Sequence, residues 1–325
     1  DPGIVFIDRI NGTNSNPTPA LGQIESTNPC GEQPLLPWES CNLGSVNLAN
    51  YVTGEMNRGR LDWEHLGVTV AAAVRFLDNV IEINNYPLPE IEKIAKGNRK
   101  IGLGVMGWAE AAVKLGVAYD SPEGLAKAEE VMKFINDKAL EASEALAAER
   151  GAFQNWKDSI YDEESKYFRG KAAKPRNAAR TTIAPTGTIA IAAGLQGSGI
   201  EPFFAIAYTR YNARALDALK NNGEPEAKDT FFEVNALFKR IAQHNKFFGL
   251  DEDTLWRKIE ANHKAVRGIP EIPKHIQDLF PTAHDVSIEN HIKIQAAFQK
   301  HIDNAVSKTI NMATSAKVED VKHCY

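Results

Sequence analysis

Asn28, Pro29, Cys30, Gly31, Glu32, Gln33 and Pro34 form one short run that gathers an amide, a thiol and a carboxylate at two-residue spacing. Pro29 and Pro34 each push the residue before them out of the α region, so the run is expected to be extended. Side chains of an extended chain repeat every second residue, which puts Asn28, Cys30 and Glu32 on one side, about 6 to 7 Å apart along the backbone. Such a set can address neighbouring atoms of a sugar-sized ligand: sulfur for hydrogen transfer or covalent work, Glu32 as a base, Asn28 as an orienting hydrogen-bonder. The opposing reading is a plain turn in which Cys30 packs as a small apolar residue and Glu32 is solvated. A second run, Ala184, Pro185, Thr186, Gly187, Thr188 and Ile189, passes from β-branched residues into a Gly-containing turn that opens a helix. Free N–H groups and the positive end of a helix dipole suit a phosphate, and the hydroxyls add donors; the rival is again a plain turn.

The elements that must position these runs can be read from periodicity. Ile4 to Ile7 is a short β-rich run, and residues 11–38 then lose all periodicity in a loop rich in Pro, Gly, Asn and Thr. Loops of that length inside a domain are usually functional. Asp62 caps an apolar-periodic helix through Leu66, Val70, Val74, Leu77, Val80 and Ile81 that ends before Pro87. Ser121 and Pro122 start a second helix that Gly151 stops. Residues 211–229 are polar and read as a surface insertion. Helices are expected at about 231–247, 252–262 and 287–306, the last capped by Ser287, with a short strand at 308–311. Alternating strands and helices argue for an α/β architecture with a parallel sheet or barrel.

Composition narrows the function. The chain has 325 residues, 43% hydrophobic, with 37 basic and 42 acidic side chains for a formal charge of -5. No basic run offers a surface for nucleic acid. No stretch approaches the roughly 20 apolar residues that cross a bilayer, and the start reads as neither signal nor transit peptide, so no membrane contact and a cytoplasmic location are expected. Three cysteines, Cys30, Cys41 and Cys324, make no disulfide framework or C-x-x-C pattern. The eight histidines form no metal-binding spacing, and no metal is expected.

Residues 27–48, which hold Asn28, Cys30, Glu32 and Cys41, resemble the active-site loop of ribonucleotide reductases, specifically the adenosylcobalamin-dependent class II enzymes. The resemblance continues in residues 76–84, 98–108, 180–190, 283–285 and 295–311 and is weakest over 211–229. It implies the C-terminal part of a ten-stranded α/β barrel, a single catalytic region over 1–325, with residues 11–38 as a central finger loop. It implies that Cys30 becomes the thiyl radical that takes the ribose 3'-hydrogen, that Glu32 removes the 3'-hydroxyl proton and that Asn28 binds the sugar hydroxyls. Cys41 matches one of two cysteines that deliver reducing equivalents; its partner belongs to an early strand outside this chain. Pro185, Thr186, Gly187, Thr188 and Ile189 match the substrate-phosphate motif. Residues 194–202 depart from the family's wording, and no role is assigned inside them; Cys324 is read as a terminal residue without a catalytic role. Implied partners are adenosylcobalamin, a ribonucleotide, a thioredoxin-like or other dithiol reductant and the missing N-terminal half of the barrel, with homodimerisation as an option.

Two rival readings remain. A class I large subunit would receive its radical through paired tyrosines, and no Tyr-Tyr pair occurs here. An inactive half-barrel would depend on an N-terminal partner chain. Gly102 to Gly107 fits G-x-G-x-x-G but lacks the strand and acidic residue of a dinucleotide fold. His284 with Asp285 is read as structural, and Phe203, Phe204 and Tyr208 as core.

Overall fold

The computed structural model describes residues 4–325. Parallel β segments stand side by side at its centre. Asn42–Asn47 pairs with Ile101–Met106, setting Asn42 against Ile101 and Asn47 against Met106. Leu103 then bridges Thr181, and Ile183 bridges Val306, again in parallel. Parallel neighbours need crossovers of about a dozen residues or more, usually helical. Here these are Trp63–Ile83 with Pro89–Asn98, then Trp108–Leu115 with Pro122–Arg150. The result is the parallel α/β arrangement expected from the alternation of elements, in keeping with the part of a barrel that the resemblance implies.

Local chemistry explains the crossovers. The Asp62 carboxylate accepts the His65 N–H at 3.0 Å, and one face of Trp63–Ile83 buries Leu66, Val70, Val74, Leu77 and Ile81. Ser121 caps Pro122–Arg150 by accepting the Gly124 N–H, and Gly151 ends it with φ +85°. Both helices join the main core against Ile101, Leu103 and Val105. All six residues of Ile101–Met106 are buried, as a strand covered on both faces requires. A Cβ at Gly102 would stand 2.5 Å from Gln33 Nε2, and one at Gly104 2.2 Å from the Thr182 oxygen. These glycines serve close packing inside the strand; the glycine pattern there is not a phosphate turn.

Several expected elements differ. Ile4, Val5 and Phe6 are exposed and form no strand, and Ile7–Gly12 is helical: no neighbouring strand pairs with the run. Residues 230–234 form a strand, not the start of a helix, because Thr230–Val234 pairs antiparallel with Ala207–Tyr211 across the 211–229 segment. That segment carries the helix Ala213–Lys220. The following helix is Ala236–His244. Glu252–Ala261 matches expectation; the helix capped by Ser287 starts as expected but ends at Gln299 instead of about 306, because the chain turns there to reach the Val306 bridge. No strand forms at 308–311; pairing occurs at Val306 instead. Phe203 lies in a second core with Phe238 and Phe280, whereas Phe204 is exposed and Tyr208 only partly buried. Asp285 accepts the Thr282 N–H and hydroxyl, a local structural role.

The loop over 11–38 runs inward. Ser15, Asn16, Thr18, Ile24, Glu32, Gln33 and Leu36 are all buried. A segment without regular structure must find other partners for its buried polar groups. Asn11 clamps Ile24 through both backbone groups, Ser15 donates to the Asn304 oxygen, and Asn98 donates to Thr18.

Candidate functional site

A two-residue hairpin, Ser26–Thr27 with Pro34–Leu35, carries the Cys30 run. Its tip is a turn, and the extended run expected from the prolines is overturned. Gly31 N–H donates to the Asn28 oxygen at 3.0 Å, Asn28 N–H to the Gln33 oxygen at 3.1 Å, and Gln33 N–H to Asn28 Oδ1 at 3.0 Å. Proline fixes φ at the second turn position, which suits Pro29, and Gly31 takes φ +83°. Cys30 therefore stands exposed at the tip while Glu32 is 2% exposed. Asn28 uses its side-chain oxygen to close the turn, which leaves its NH₂ for a ligand.

The base of the hairpin is bolted to the barrel. Glu32's backbone oxygen accepts from Thr182 Oγ1 at 2.8 Å and from Ala305 N–H at 3.0 Å. Behind it, Lys100 Nζ meets Glu39 Oε2 at 2.8 Å with both side chains fully buried. Lys100 also donates to the Pro34 oxygen, and Glu39 accepts from Leu36 N–H and Asn98 Nδ2. Sequence spacing gave no sign of this pair, since its members lie 61 residues apart.

Cys41 opens the first barrel strand beside these charges. Burial pushes its thiol far above the ordinary value; the Lys100 ammonium draws it down, and Glu39 and Glu32 push it further up. Cys41 thus lies within the field of Glu32, and it lines a cleft of about 110 Å³ with Ser40, Asn42, Asn84, Tyr86 and Lys100. Glu32 Oε2 and both amide atoms of Gln33 are buried without hydrogen-bond partners. Buried polar atoms nearly always find partners, so these three are open to a hydrogen bond with a ligand or a water.

The Pro185 to Ile189 turn opens the helix Gly187–Ala192. Thr186 adopts φ +55° and is buried; its hydroxyl oxygen accepts the Gly199 N–H at 2.7 Å. Its side chain therefore braces the turn instead of facing outward, contrary to the expectation that all its hydroxyls add donors. Pro185 is partly buried, while Gly187, Thr188 and Ile189 are exposed. A Cβ at Gly187 would meet nothing within 4 Å. The first N–H groups of any helix lack intrahelical partners, and the residues that carry them here, Gly187 to Ile189, are exposed.

Residues 194–202, left without a role by the sequence, carry much of the bracing. Glu110 accepts the N–H groups of Gln196 and Gly197, and burial raises its carboxyl above the ordinary value. Glu201 meets Lys308. Cys324 lies in the terminal segment, donating to the Asp320 oxygen.

Comparison with known proteins places this arrangement. The family model of the ribonucleotide reductase barrel domain matches residues 1–325. The chain belongs to that family. It is 44% identical over 326 residues to the vitamin B12-dependent ribonucleoside-diphosphate reductase of Mycobacterium tuberculosis (strain CDC 1551 / Oshkosh), covering 100% of this chain and 42% of that protein. It is 43% identical to the reductase of the same name from Thermoplasma acidophilum, covering 100% of this chain and 38% of that one. The chain thus spans about two fifths of the length of these relatives. The solved structure of the Actinobacillus ureae class Id ribonucleotide reductase alpha subunit superposes with a TM-score of 0.75 at 23% identity, covering 99% of this chain and 55% of that one. At that identity the likeness concerns the fold, and the half-barrel of this ribonucleotide reductase family member agrees with it. Among the described residues no helix is long and apolar enough to cross a membrane.

Proposed function

We propose that this chain is the radical-bearing catalytic half of an adenosylcobalamin-dependent ribonucleoside-diphosphate reductase. One observation carries the reading: a buried carboxylate without a partner, Glu32, two residues from an exposed thiol, Cys30, and within the field of a second thiol, Cys41. The names of the 43% and 44% identical relatives support vitamin B12 dependence over a class I mechanism, and separately a diphosphate substrate.

The chemistry needs such a set. A ribose carbon–hydrogen bond is not broken by ordinary acid–base catalysis, and adenosylcobalamin, when bound, supplies radical chemistry. The residues present fit that group in one respect: Cys30, exposed at the hairpin tip, is a thiol that a bulky cofactor can approach. Cys30 as a thiyl radical takes the 3'-hydrogen. Glu32 takes the 3'-hydroxyl proton, Asn28 orients the hydroxyls with its free NH₂, and the 2'-hydroxyl leaves as water as Cys41 and a second cysteine give up two electrons and two protons to become a disulfide. Cys30 then returns its hydrogen to C3', Glu32 its proton to the 3'-oxygen, and Cys30 is the radical again. A dithiol reductant, thioredoxin-like or small, restores them. Gly187, Thr188 and Ile189 receive the phosphates through backbone N–H groups, with Pro185 and Thr186 shaping the turn. Among the described residues Asn42–Asn47 is paired on one edge only. That open edge supports an N-terminal half-barrel as the partner that brings the second cysteine. Free thiols at Cys30, Cys41 and Cys324 suit a reducing, cytoplasmic setting.

The test is an anaerobic assay of the complete protein with adenosylcobalamin, a ribonucleoside diphosphate and dithiothreitol. Deoxynucleotide should form, and Cys30→Ser should abolish turnover with nucleotide affinity changed by less than about threefold, since a lone exposed hydroxyl-for-thiol change costs little binding. Turnover by Cys30→Ser at the wild-type rate would end the reading.

A further inference from the structure

Lys308 is a cation with its side chain fully buried, and the site described so far does not use it. Its Nζ lies 2.5 Å from Glu201 Oε2, 2.8 Å from His291 Nδ1 and 2.5 Å from the Thr309 oxygen, so the three N–H bonds of an ammonium are all used. His291, 0% exposed, has its Nε2 2.9 Å from the Ala283 oxygen, which fixes the tautomer: Nε2–H donates and Nδ1 accepts from Lys308. The second oxygen of Glu201 accepts the Thr309 N–H at 2.8 Å. Glu201 thereby ties the chain just beyond the Val306 bridge to the loop that follows the phosphate turn, across 107 residues of sequence. That loop reaches the turn directly. Glu201 N–H donates to the Ser198 oxygen at 2.8 Å, and Gly199 N–H donates to Thr186 Oγ1. Tyr119, buried in the main core, holds the same loop by donating to the Ile200 oxygen at 2.7 Å. Thr186 is a non-glycine residue in the left-handed region, a conformation that persists only when its surroundings enforce it.

We propose that Lys308, seated on His291 and gripping Glu201, is a positioning residue that holds the Thr186 turn in the shape that receives the substrate's phosphates. It touches no substrate atom; it acts through Glu201 and Gly199. This rests on the reading of Gly187 to Ile189 as the phosphate site. The class of ligand affected is any nucleotide whose phosphates enter the turn, and a nucleoside without phosphates is indifferent to it.

The experiment uses the complete reductase and compares wild type with Lys308→Met, Lys308→Arg, Glu201→Gln, the Lys308→Met/Glu201→Gln double variant and Gly187→Leu. Readouts are KM and kcat for a ribonucleoside diphosphate, and binding of the diphosphate and of the matching nucleoside by equilibrium dialysis. Displacement of a positioning group by about 1 Å costs on the order of 100-fold, so Lys308→Met and Glu201→Gln should each raise diphosphate KM roughly 10- to 100-fold while kcat and nucleoside affinity stay within about threefold. The double variant should be no worse than the worse single one, because both cut one linkage. Lys308→Arg should recover part of the loss. Equal loss of nucleoside and diphosphate binding, or additive losses in the double variant, would overturn the proposal. Gly187→Leu separates the two readings: if it leaves diphosphate binding untouched, the phosphate assignment itself fails; if it weakens binding while Lys308→Met does not, only the positioning role fails.

Discussion

Replacing Lys100 by Met tests how the loop that carries Cys30 is fastened and how Cys41 is tuned. The pair with Glu39 is fully buried on both sides, at 2.8 Å. Removing one member of such a pair leaves an uncompensated charge, which costs about 3–5 kcal/mol. Glu39 keeps two donors, Leu36 N–H and Asn98 Nδ2, which places the expected loss near the lower end, about 3 kcal/mol. At about 2.1 cal/mol/K per residue, the unfolding entropy of 325 residues gives about 1.5 °C per kcal/mol, and the melting midpoint should fall by about 4–5 °C. Adding Glu39→Gln removes the stranded charge, and the double variant should regain most of that loss. The same substitution removes the Lys100 charge that draws the Cys41 thiol down, so the Cys41 sulfur becomes a poorer leaving group and reduction of its disulfide slows. Calorimetry of the complete protein and the rate of disulfide reduction by dithiothreitol read the two effects separately. A stability loss under about 1 kcal/mol, or a double variant no better than the single, would refute the argument that this is a buried charge pair, since only exposed pairs are worth so little.

Other outcomes follow from the same geometry. Cys41→Ser should still permit one hydrogen abstraction but no second cycle; rapid-quench analysis that finds multiple turnovers would contradict the redox role. His291 is held to about 4 from 6.5, by burial first and then by Lys308, with His284 acting the same way and the Ala283 hydrogen bond and Asp120 opposing. A depressed histidine binds its proton more readily in the unfolded chain, so its contribution is fully present above pH 6.5 and is lost as pH falls to about 4. The loss should be at most about 3 kcal/mol, less what solvent screening removes, and urea titrations should show that slope in wild type and not in His291→Gln. Gly104→Ala would put a methyl 2.2 Å from the Thr182 oxygen. Overpacking of this kind costs about 1–3 kcal/mol or more, and a variant with an unchanged melting point would mean the two strands are free to part.

The helices were legible because their causes are local. Asp62, Ser121 and Ser287 cap their own chains within three residues, and the burial of Leu66, Val70, Val74 and Leu77 repeats with the helix period. The Cys30 run was half legible. Proline excluded a helix, yet Pro29 with Gly31 two residues on equally favours a turn, and the choice between turn and strand rested on whether a partner strand lay nearby. The strand at 230–234 was misread for a related reason: its partner, Ala207–Tyr211, lies beyond an intervening helix.

What the sequence determined by itself was the inventory of chemistry: a thiol and a carboxylate two residues apart, a second thiol, and a glycine turn before a helix, in a family wording carried by contiguous residues. What only the tertiary structure decided was which groups stand in one another's field. Thr186 with Gly199, Glu39 with Lys100, and Glu201 with Lys308 are joined by packing across 13, 61 and 107 residues of sequence. Electrostatic energy depends on distance through space and on burial, and neither quantity is written in the order of residues along the chain.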